Sequence, residues 1–450
     1  MAKTSTLFAC TNCGATSSTW SGRCYSCGEW NTLEEQTPLV SSAGRPLSGA
    51  NILKTSTIDS ATKQTTSPRL KTAIADVDNV LGGGFMPGSV VLVAGQPGIG
   101  KSTLLLQIAG LLGQKNAVLY ASGEESISQL AQRAKRLRVH GKKLELVSTN
   151  DTDAIASTIM QGGYKAVIVD SIQTLATQQI QTPAGSVGQI TNSTHLLSEV
   201  AKKTNTLLII VGHVTKEGSI AGPKVLEHLV DVVMQFEGDR YGGFKVLRGV
   251  KNRYGSTNEV GIFEMTETGL DAVQNPSAAL LSERQVSDGS IVLATMEGSR
   301  PVLVEVQALV HTTAYGYPKR TASGLDLNRV NLLVAMLEKR TKLRLSDKDI
   351  YINIVGGIRV TEPAADLAVC MAIASASKGM QLSKNAVVFG EAGLSGEIRH
   401  VPFIDRRIQE AQKLGFEAAI GPSSKLKQID KAFYLPVTNV KSALNTFLNE

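Results

Sequence analysis

The sequence predicts an α/β protein of several domains, and three observations lead to that prediction. Between about residues 70 and 270, apolar runs rich in β-branched residues alternate with amphipathic helical patterns, which is typical of a parallel sheet packed between helices. After about residue 272 the pattern changes to a hairpin, a helix and shorter strands, which indicates a separate α+β domain. Four of the five cysteines fall within the first 27 positions, so a small additional unit precedes both domains.

The composition of the 450-residue chain is that of an ordinary globular protein, with 42% apolar and 19% charged residues. The formal net charge of +7 permits a polyanionic partner without demonstrating one. The first residues contain no basic segment followed by an apolar one, so we expect no secretory signal. No apolar run approaches the roughly 18 residues of a membrane span, so we expect a cytoplasmic protein.

Residues 1–35 carry two Cys-x2-Cys pairs separated by ten residues. Each pair forms a tight turn that directs two thiolates at one point, and in a reducing compartment such clustering favours a metal over disulfides. Four thiolates suit a structural Zn2+ ion, which would supply the folding energy that so short a segment cannot obtain from a core. An iron site of the rubredoxin type or a redox dithiol pair is the alternative. The predicted ligands are Cys10, Cys13, Cys24 and Cys27.

The rest of the chain divides by composition and pattern. Residues 36–68 are rich in Ser and Thr and contain no aromatic, so we expect a flexible linker. Residues 69–271 form the predicted parallel-sheet domain, and residues 272–450 form the α+β domain. The fifth cysteine, Cys370, stands in the apolar helical run LAVCMAIASA, where core packing is its expected role.

The stretch VVLVAGQPGIGKSTLLLQIAGLL contains a complete phosphate loop between a strand and a helix. Its glycines allow successive N–H groups to converge on phosphate oxygens, and the helix N-terminus adds partial positive charge. We therefore predict ATP as the substrate, with Lys101 on the β- and γ-phosphates and Ser102 on Mg2+. The predicted ATP-binding residues of the loop are Gly95, Gln96, Pro97, Gly98, Ile99, Gly100, Lys101, Ser102 and Thr103.

Three further strands end in side chains that suit ATP hydrolysis, because ligands bind at the carboxyl edge of an open α/β sheet. Asp170 ends KAVIVD, where a second Mg2+-associated carboxylate belongs. Two carboxylates follow AVLYAS; we predict Glu124 as the base that activates water, whereas Glu125 could be a solvated carboxylate at a helix start. His213 ends TLLIIVGH and is the predicted sensor of the γ-phosphate, although a lone histidine is usually structural.

Four features in order along the chain, the cysteine pairs, GQPGIGKST, GHVTKEG and KNRYG, closely resemble the bacterial RadA (Sms) family of DNA recombination and repair proteins. The resemblance covers the whole chain and implies that residues 69–271 are a RecA-like ATPase core and residues 272–450 a Lon-protease-like domain. The family motif reads Lys-Asn-Arg-Phe-Gly, whereas this chain has Tyr254. The aromatic ring is kept, so we expect the role of the motif to survive.

The resemblance also implies a role for VLRGVKNRYGSTNEV, residues 246–260. RecA-like ATPases assemble side by side with nucleotide at each seam, and cations after a late strand reach the neighbour's γ-phosphate. Lys251 and Arg253 are the predicted trans-acting catalytic residues, because alternate residues of an extended segment face the same way. Gly255 is expected to let the chain turn. The resemblance implies a homo-oligomer, for which we expect a hexameric ring; a surface Lys-x-Arg on a strand is the alternative.

DNA contacts are expected in two loops, residues 174–193 and 215–228, which follow core strands and lack the periodicity of a fixed element. The second loop offers Lys216 and Lys224 for phosphates, and neither loop has an aromatic for base stacking. The resemblance implies single-stranded and branched DNA as partners, together with a RecA-type recombinase. It further implies ATP-driven translocation that promotes branch migration or D-loop extension. The alternative is an ATP-switched DNA clamp or partner-recruiting factor that does not translocate.

An ATP-dependent protease is the least favoured alternative, because the Lon-like segment lacks the required chemistry. A Lon active site uses a Ser nucleophile and a Lys base. Ala364 stands at the nucleophile position in GGIRVTEPAADLAVCMA, and residues 385–412 contain no Lys. We therefore expect this domain to be proteolytically inactive and to serve assembly or DNA binding.

Overall fold

A computed structural model of the chain describes residues 7–11, 15–17, 19–36, 57, 68–213, 225–238, 243–314, 316–423, 430 and 432–448. The chain forms two compact units, Met1–Thr66 and Ser67–Glu450. None of the helices in the described ranges is long and apolar enough to cross a membrane.

The first unit contains an antiparallel sheet of three short strands, β1 (Leu7–Cys10), β2 (Thr16–Ser17) and β3 (Leu33–Gln36). Their order is β2-β1-β3. The buried core of the described part consists of Cys10, Cys24 and Leu33, with Phe8 and Ala15 packed against it. So small a core cannot by itself offset the entropy of folding, so the unit needs a further source of stability.

The second unit contains a large sheet whose strands, within the described residues, are β4 (Val90–Gly95), β5 (Val118–Ser122), β6 (Leu144–Ser148), β7 (Ala166–Asp170), β8 (Leu207–His213), β9 (Val232–Gly238), β10 (Lys245–Asn252), β11 (Val260–Thr266) and β12 (Gly269–Ala272). Their order is β12-β11-β10-β9-β4-β8-β7-β5-β6. The strands from β9 to β6 are parallel, which confirms the prediction. Strands β10, β11 and β12 add an antiparallel extension that the sequence analysis does not predict.

Helices cover both faces of this sheet: α1 (Ala75–Val80), α2 (Lys101–Leu112), α3 (Ile127–Arg136), α4 (Thr152–Gly162), α5 (Val187–Thr204) and α6 (Val225–Leu229). Helices α1, α2 and α3 contribute to the apolar core on one face, and α4, α5 and α6 to the core on the other. Because β4, β5 and β7 are buried throughout, their sequences are continuous apolar runs. Helix α3 begins at Ser126, whose side chain forms a capping box with Gln129.

Beyond residue 272 the described strands are β13 (Ser290–Glu297), β14 (Arg300–Thr312), β15 (Arg320–Ser323), β16 (Lys348–Ile354), β17 (Ala386–Val388), β18 (Glu391–Ala392), β19 (Ile398–Arg399), β20 (Ala418–Pro422) and β21 (Tyr434–Val437). Strands β18 and β19 pair separately, and the others form a mixed sheet in the order β15-β16-β14-β13-β17-β20-β21. The antiparallel β13–β14 pair is the predicted hairpin.

The residues beyond 272 form what we call the second domain, which is part of the second compact unit. Its helices, within the described residues, are α7 (Pro276–Leu281), α8 (Leu327–Arg340), α9 (Asp366–Lys378), α10 (Ile404–Lys413) and α11 (Val440–Phe447). Helix α9 is buried along most of its length and packs on β13 and β14. Cys370 on α9 is fully buried, which confirms its predicted packing role, and burial raises the pKa of its thiol. The domain is the α+β fold that the sequence predicts.

The two sheets of the second unit share a core. Val246 on β10, and Val260 and Ile262 on β11, belong to the same buried cluster as the residues of β13 and β14. The next residue of β10, Leu247, belongs to the core of the large sheet instead. The antiparallel extension therefore has one face in each domain, and burial of apolar side chains joins the two domains.

Candidate active site

The cysteines of the first unit converge on one point. The sulfur atoms of Cys10, Cys24 and Cys27 lie within 4.8 Å of one another, and those of Cys10 and Cys27 are 3.6 Å apart. Sulfurs arranged tetrahedrally at ~2.3 Å from zinc stand about 3.8 Å apart, so these donors fit the ion. A hydrogen bond from the backbone of Cys27 is the main cause that lowers the pKa of Cys24, which favours the thiolate a metal requires. The fourth predicted ligand, Cys13, lies outside the described residues.

The phosphate loop links the end of β4 to the start of α2. Gly98 and Gly100 have positive φ angles of 79° and 116°, which residues with a Cβ atom rarely adopt. This backbone conformation lets the N–H groups of the loop point toward a common anion. In this fully described stretch no side chain caps the N-terminus of α2, and its first turn holds no acidic residue. The free N–H groups and the positive end of the helix dipole therefore remain available to an anion.

Lys101 is buried and folded back onto the loop. Only 4% of the residue is exposed, and its Nζ donates to the carbonyl oxygens of Gly95 at 2.8 Å and Gln96 at 3.0 Å. Burial lowers the pKa of Lys101 to about 8, while the charges of Asp170 and Glu124 act in the opposite direction. Without a bound anion, burial therefore makes the charged form of Lys101 less favourable. A polyphosphate bound at the loop would stabilise that charge.

Adjacent strands bring the predicted catalytic groups to one edge of the sheet. His213, the last residue of β8, pairs in register with Gly95 at the end of β4. Asp170, the last residue of β7, pairs with Ser122 at the end of β5. The carboxylate of Asp170 is 5% exposed and accepts a hydrogen bond from the Tyr120 hydroxyl at 2.7 Å. The carboxyl ends of parallel strands meet at one edge, which is where such folds bind ligands.

Glu124, His213 and Lys101 form a connected polar group. Oε1 of Glu124 accepts from the Ser171 hydroxyl at 2.5 Å and lies 3.4 Å from Nε2 of His213. The other ring nitrogen of His213 is 3.2 Å from Nζ of Lys101. Glu125 instead forms an ion pair with Arg133 at 2.6 Å. The geometry therefore places Glu124, and not Glu125, beside the histidine, although its role as the base stays a prediction.

Lys251 and Arg253 lie at the other end of the sheet from the phosphate loop of their own chain. Lys251 on β10 pairs with Val233 of β9, and the β9 residues at this end pair with Val91 near the start of β4. The phosphate loop follows Gly95, the last residue of β4, whereas Lys251 is level with Leu92 and Arg253 with Val90. At ~3.3 Å per residue the two cations lie about 10 and 17 Å from the loop along the strand direction, and β10 is also two strands away from β4 across the sheet. These cations cannot reach the nucleotide pocket of their own subunit.

Both cations are held by α6 and the residues that directly follow it. Nζ of Lys251 donates to the carbonyl oxygens of Glu227 and Val230. Nη1 of Arg253 is 2.9 Å from Oδ1 of Asp231, a residue that is 2% exposed and whose other oxygen accepts from an amide at the start of β4. The side chain of Arg253 is itself 54% exposed. The two cations thus share one corner of the molecule, as their alternation predicts.

The chain turns at Arg253 and Tyr254, and Gly255 follows with a φ outside the left-handed region, so its role in the turn stays a prediction. The expectations for the two DNA-contacting loops need correction. The predicted loop 174–193 is irregular only in part, because α5 begins at Val187. The side-chain amide of Gln189 in that helix donates to three loop carbonyls and so orders the preceding residues. Likewise α6 takes up the end of the predicted loop 215–228. Lys216 and Lys224 lie outside the described residues.

The Lon-like segment has a buried alanine at the position where the Lon nucleophile is expected. Ala364 is buried, and the nearby carboxylate of Glu362 is fully committed to hydrogen bonds. It accepts from the guanidinium of Arg407 at 2.9 and 2.7 Å and from the hydroxyl of Thr295 at 2.6 Å. Arg407 is completely buried and also lies over the ring of Phe389. A guanidinium held in this way cannot serve as a base.

The sequence does not mark Tyr120, Ser171 and Asp231 as site residues, although each contacts a predicted one. Ser171 directly follows Asp170, so its position was available from the motif. Tyr120 and Asp231 reach their partners only through pairing of strands far apart in the chain, and no local pattern marks them.

A phosphate loop on the central part of a parallel sheet, with acidic and imidazole groups on the neighbouring strand ends, defines a RecA-like P-loop ATPase. Along the chain, that ATPase core follows a zinc ribbon and precedes a Lon-like domain. Residues 59–219 match the family model described as AAA domain, residues 8–35 the Rubredoxin metal binding domain, and residues 323–425 the Subunit ChlI of Mg-chelatase.

Curated relatives align with the whole chain. It is 47% identical to the DNA repair protein RadA of Bacillus subtilis (strain 168), over 100% of both chains. It is 44% identical to RadA of Aquifex aeolicus, over 99% of each chain, and 46% identical to RadA of Pseudomonas aeruginosa, over 94% of each. The chain belongs to the RadA family of DNA repair proteins. A solved structure of the RadB recombinase aligns with 46% of this chain and all of that one at 24% identity, with a TM-score of 0.37.

Proposed function

We propose that this protein is an ATP-driven motor of DNA repair and homologous recombination, in which copies of the chain assemble and complete each other's nucleotide sites. The observation that carries the proposal is the position of Lys251 and Arg253. Both cations belong to the family motif, yet they lie toward the opposite end of the sheet from their own phosphate loop, about 10 to 17 Å away along the strands at ~3.3 Å per residue and two strands across. Such cations can act on ATP only in a neighbouring copy. A closed ring, hexameric as expected from the family, satisfies every site.

The proposed chemistry begins with ATP bound at the N-terminus of α2. Lys101 would leave the loop carbonyls for the β- and γ-phosphates, and Ser102 with Asp170 offers the oxygen donors that Mg2+ prefers. Bound Mg2+ would neutralise charge on the phosphates. Glu124 would orient and deprotonate the attacking water, and its contact with His213 would let the histidine report the presence of the γ-phosphate to the neighbouring strand.

Arg253 of the adjacent copy would stabilise the charge that develops on the transferred phosphoryl group. An arginine supplied in trans contributes about 10³–10⁵ in rate in related NTPases. To do so, Arg253 must exchange its ion pair with Asp231 for the neighbour's phosphate. That exchange would couple the nucleotide state of one subunit to the surface of the next.

The work done with this energy is proposed to be movement along single-stranded DNA at branched intermediates, with branch migration or D-loop extension as the outcome. A RecA-type recombinase would supply those intermediates. DNA would be contacted by residues 174–193 and 215–228, where Lys216 and Lys224 supply charge for phosphates. The net charge of +7 is compatible with such a partner. Contacts of this kind are salt-dependent and tolerant of base sequence.

Arg253→Ala tests the shared site. We expect its affinity for an ATP analogue to stay within about twofold of the wild type, while DNA-stimulated hydrolysis falls by about 10³ or more. Loss of ATP binding would instead place Arg253 in the pocket of its own subunit and refute the arrangement. The control is Arg133→Ala, which removes a cation paired with Glu125 rather than one of the motif.

A strand-displacement assay on a forked or D-loop substrate tests the motor. The motor is expected to displace strands in an ATP-dependent manner. A clamp that switches with ATP would bind the same DNA and displace no strand, and that result would refute translocation.

A further inference from the structure

The β13–β14 hairpin of the second domain ends in a tight turn that contacts the ATPase sheet. We call residues Glu297 to Arg300 the hairpin turn; Glu297 ends β13 and Arg300 begins β14. The hairpin turn makes two contacts with the ATPase domain. One is with β10, just before the Lys251–Gly255 segment, and the other is with residues that come shortly after that segment. Both contacts lie within the second compact unit.

The contact before the segment is a buried ion pair between the two domains. Nη2 of Arg248 on β10 pairs with Oε2 of Glu297, and Nε of Arg248 is 3.1 Å from Glu237 on β9. Only 4% of Glu297 is exposed, and burial raises its pKa while Arg248 opposes that effect. Without its cation this carboxylate would be an unpaired buried charge, so the pair strongly ties β10 to the hairpin turn.

Arg248 and Lys251 occupy the same face of β10. They pair with Gln235 and Val233 of β9, which are two residues apart, because a bulge lies between Gly249 and Lys251. Residues two apart on a strand share a face and are separated by about 7 Å. The ion pair with Glu297 therefore anchors the strand immediately beside the first trans-acting cation.

The contact after the segment is made by the tip of the same turn. The amide of Ser299 donates to the carbonyl oxygen of Asn258 at 2.7 Å, and its hydroxyl donates to Glu259 at 2.6 Å. Gly298 has a φ of 61°, and a side chain there would collide with the same Asn258 carbonyl. Asn258 and Glu259 lead directly into β11. The hairpin turn thus holds both flanks of the motif.

We propose that the hairpin turn positions the Lys251–Gly255 segment for its action on a neighbour's nucleotide, with Glu297 and Ser299 as positioning residues. This inference rests on the proposed trans role of the segment. Within their own domain, the side chains of Lys251 and Arg253 are held by carbonyl oxygens and by Asp231, and they must release these partners when they engage the neighbour. The flanking contacts to the hairpin turn survive that exchange. Misplacement of a catalytic group by 1 Å can cost about 10²-fold in rate, so such anchoring matters.

Glu297→Gln removes the charge of the anchor while keeping its size. In the full-length protein with single-stranded DNA, we expect kcat to fall about tenfold or more, with an unchanged Kd for an ATP analogue and an unchanged particle mass. The matched control is Glu305→Gln, because Glu305 is an equally buried carboxylate on β14 that hydrogen-bonds Ser290 inside the second domain. The control is expected to lower the melting temperature without the kcat defect. An unchanged kcat in Glu297→Gln would overturn the proposal.

Mixing subunits separates a positioning defect from a general one. Lys101→Ala subunits lack a working pocket but keep the motif and the hairpin turn. In a 1:1 mixture, half of the Glu297→Gln pockets would meet an intact motif, so a tenfold defect predicts about a fivefold rise in turnover per Glu297→Gln subunit. If Arg253→Ala is rescued by the same mixing and Glu297→Gln is not, the positioning role is refuted while the trans role stands. If Arg253→Ala is not rescued either, the trans role itself is refuted.

Ser299→Ala keeps the proposal testable if Glu297→Gln does not fold. This substitution removes only the hydroxyl that donates to Glu259. We expect a smaller fall in kcat, about two- to threefold, with the same rescue by Lys101→Ala subunits and no change in Kd. A rise in Kd in place of the fall in kcat would contradict the proposal.

Discussion

Raising the pH is expected to weaken ATP binding through deprotonation of Lys101. Burial lowers the pKa of this lysine from 10.5 to about 8 in the free protein. Phosphate binds the charged amine, so above that pH each binding event must also take up a proton. The apparent Kd should then increase by the factor 1 + 10^(pH − pKa), which gives about tenfold weaker binding at pH 9 than at pH 7.

The assay is titration of a non-hydrolysable ATP analogue with Mg2+ at intervals between pH 7 and pH 9.5. Calorimetry in two buffers of different ionisation enthalpy would also measure uptake of about one proton above the pKa. Lys101→Arg is the control, because arginine keeps its charge across this range and its Kd should not rise. A wild-type profile that is flat to pH 9, or one that the arginine variant reproduces, would refute the reasoning about Lys101.

Three further predictions concern the other sites. Glu124→Gln should abolish hydrolysis while ATP binding is retained. Glu125→Gln loses only the ion pair with Arg133 and should lower kcat by less than about tenfold. Equal effects of the two substitutions in steady-state assays would contradict the choice of Glu124 as the base. Chelation of the metal should unfold the cysteine unit, seen as free thiols and lost protection in hydrogen exchange, without moving the main melting transition; loss of that transition would contradict the linker. Arg407→Leu should lower the free energy of unfolding by about 3 kcal/mol or more in urea, because it leaves Glu362 without its buried cation; a loss under about 1 kcal/mol would show that the pair is not required.

Local patterns were sufficient to predict much of the fold. The buried strands β4, β5, β7 and β8 are continuous apolar runs, and their parallel pairing follows from the helical patterns between them. The antiparallel pairing of β10, β11 and β12 was not predicted, because β10 and β11 each place one face toward each domain and so lack a simple apolar alternation. The start of α5 inside a predicted loop was missed for a similar reason: its first turn is polar and is stabilised by Gln189 through contacts to the loop.

In the ATP site, too, local sequence predicts some features, whereas tertiary contacts decide others. Short-range spacing is enough to recognise the phosphate loop, because the loop's conformation depends on its own glycines. The choice between Glu124 and Glu125 depends on Ser171 and Arg133, which lie on other elements.

By itself, the amino-acid sequence determined the order of the domains, the chemistry of the metal and phosphate sites, and the presence of Ala364 where the Lon-like resemblance places a nucleophile. Those features depend on residues that are close along the chain. Only the tertiary structure decided that Lys251 and Arg253 lie away from the phosphate loop of their own chain and that Asp231 holds Arg253. It also decided that Glu297 anchors β10 through its ion pair with Arg248. These relations depend on strand register and on packing between domains, which join residues that are far apart in the chain.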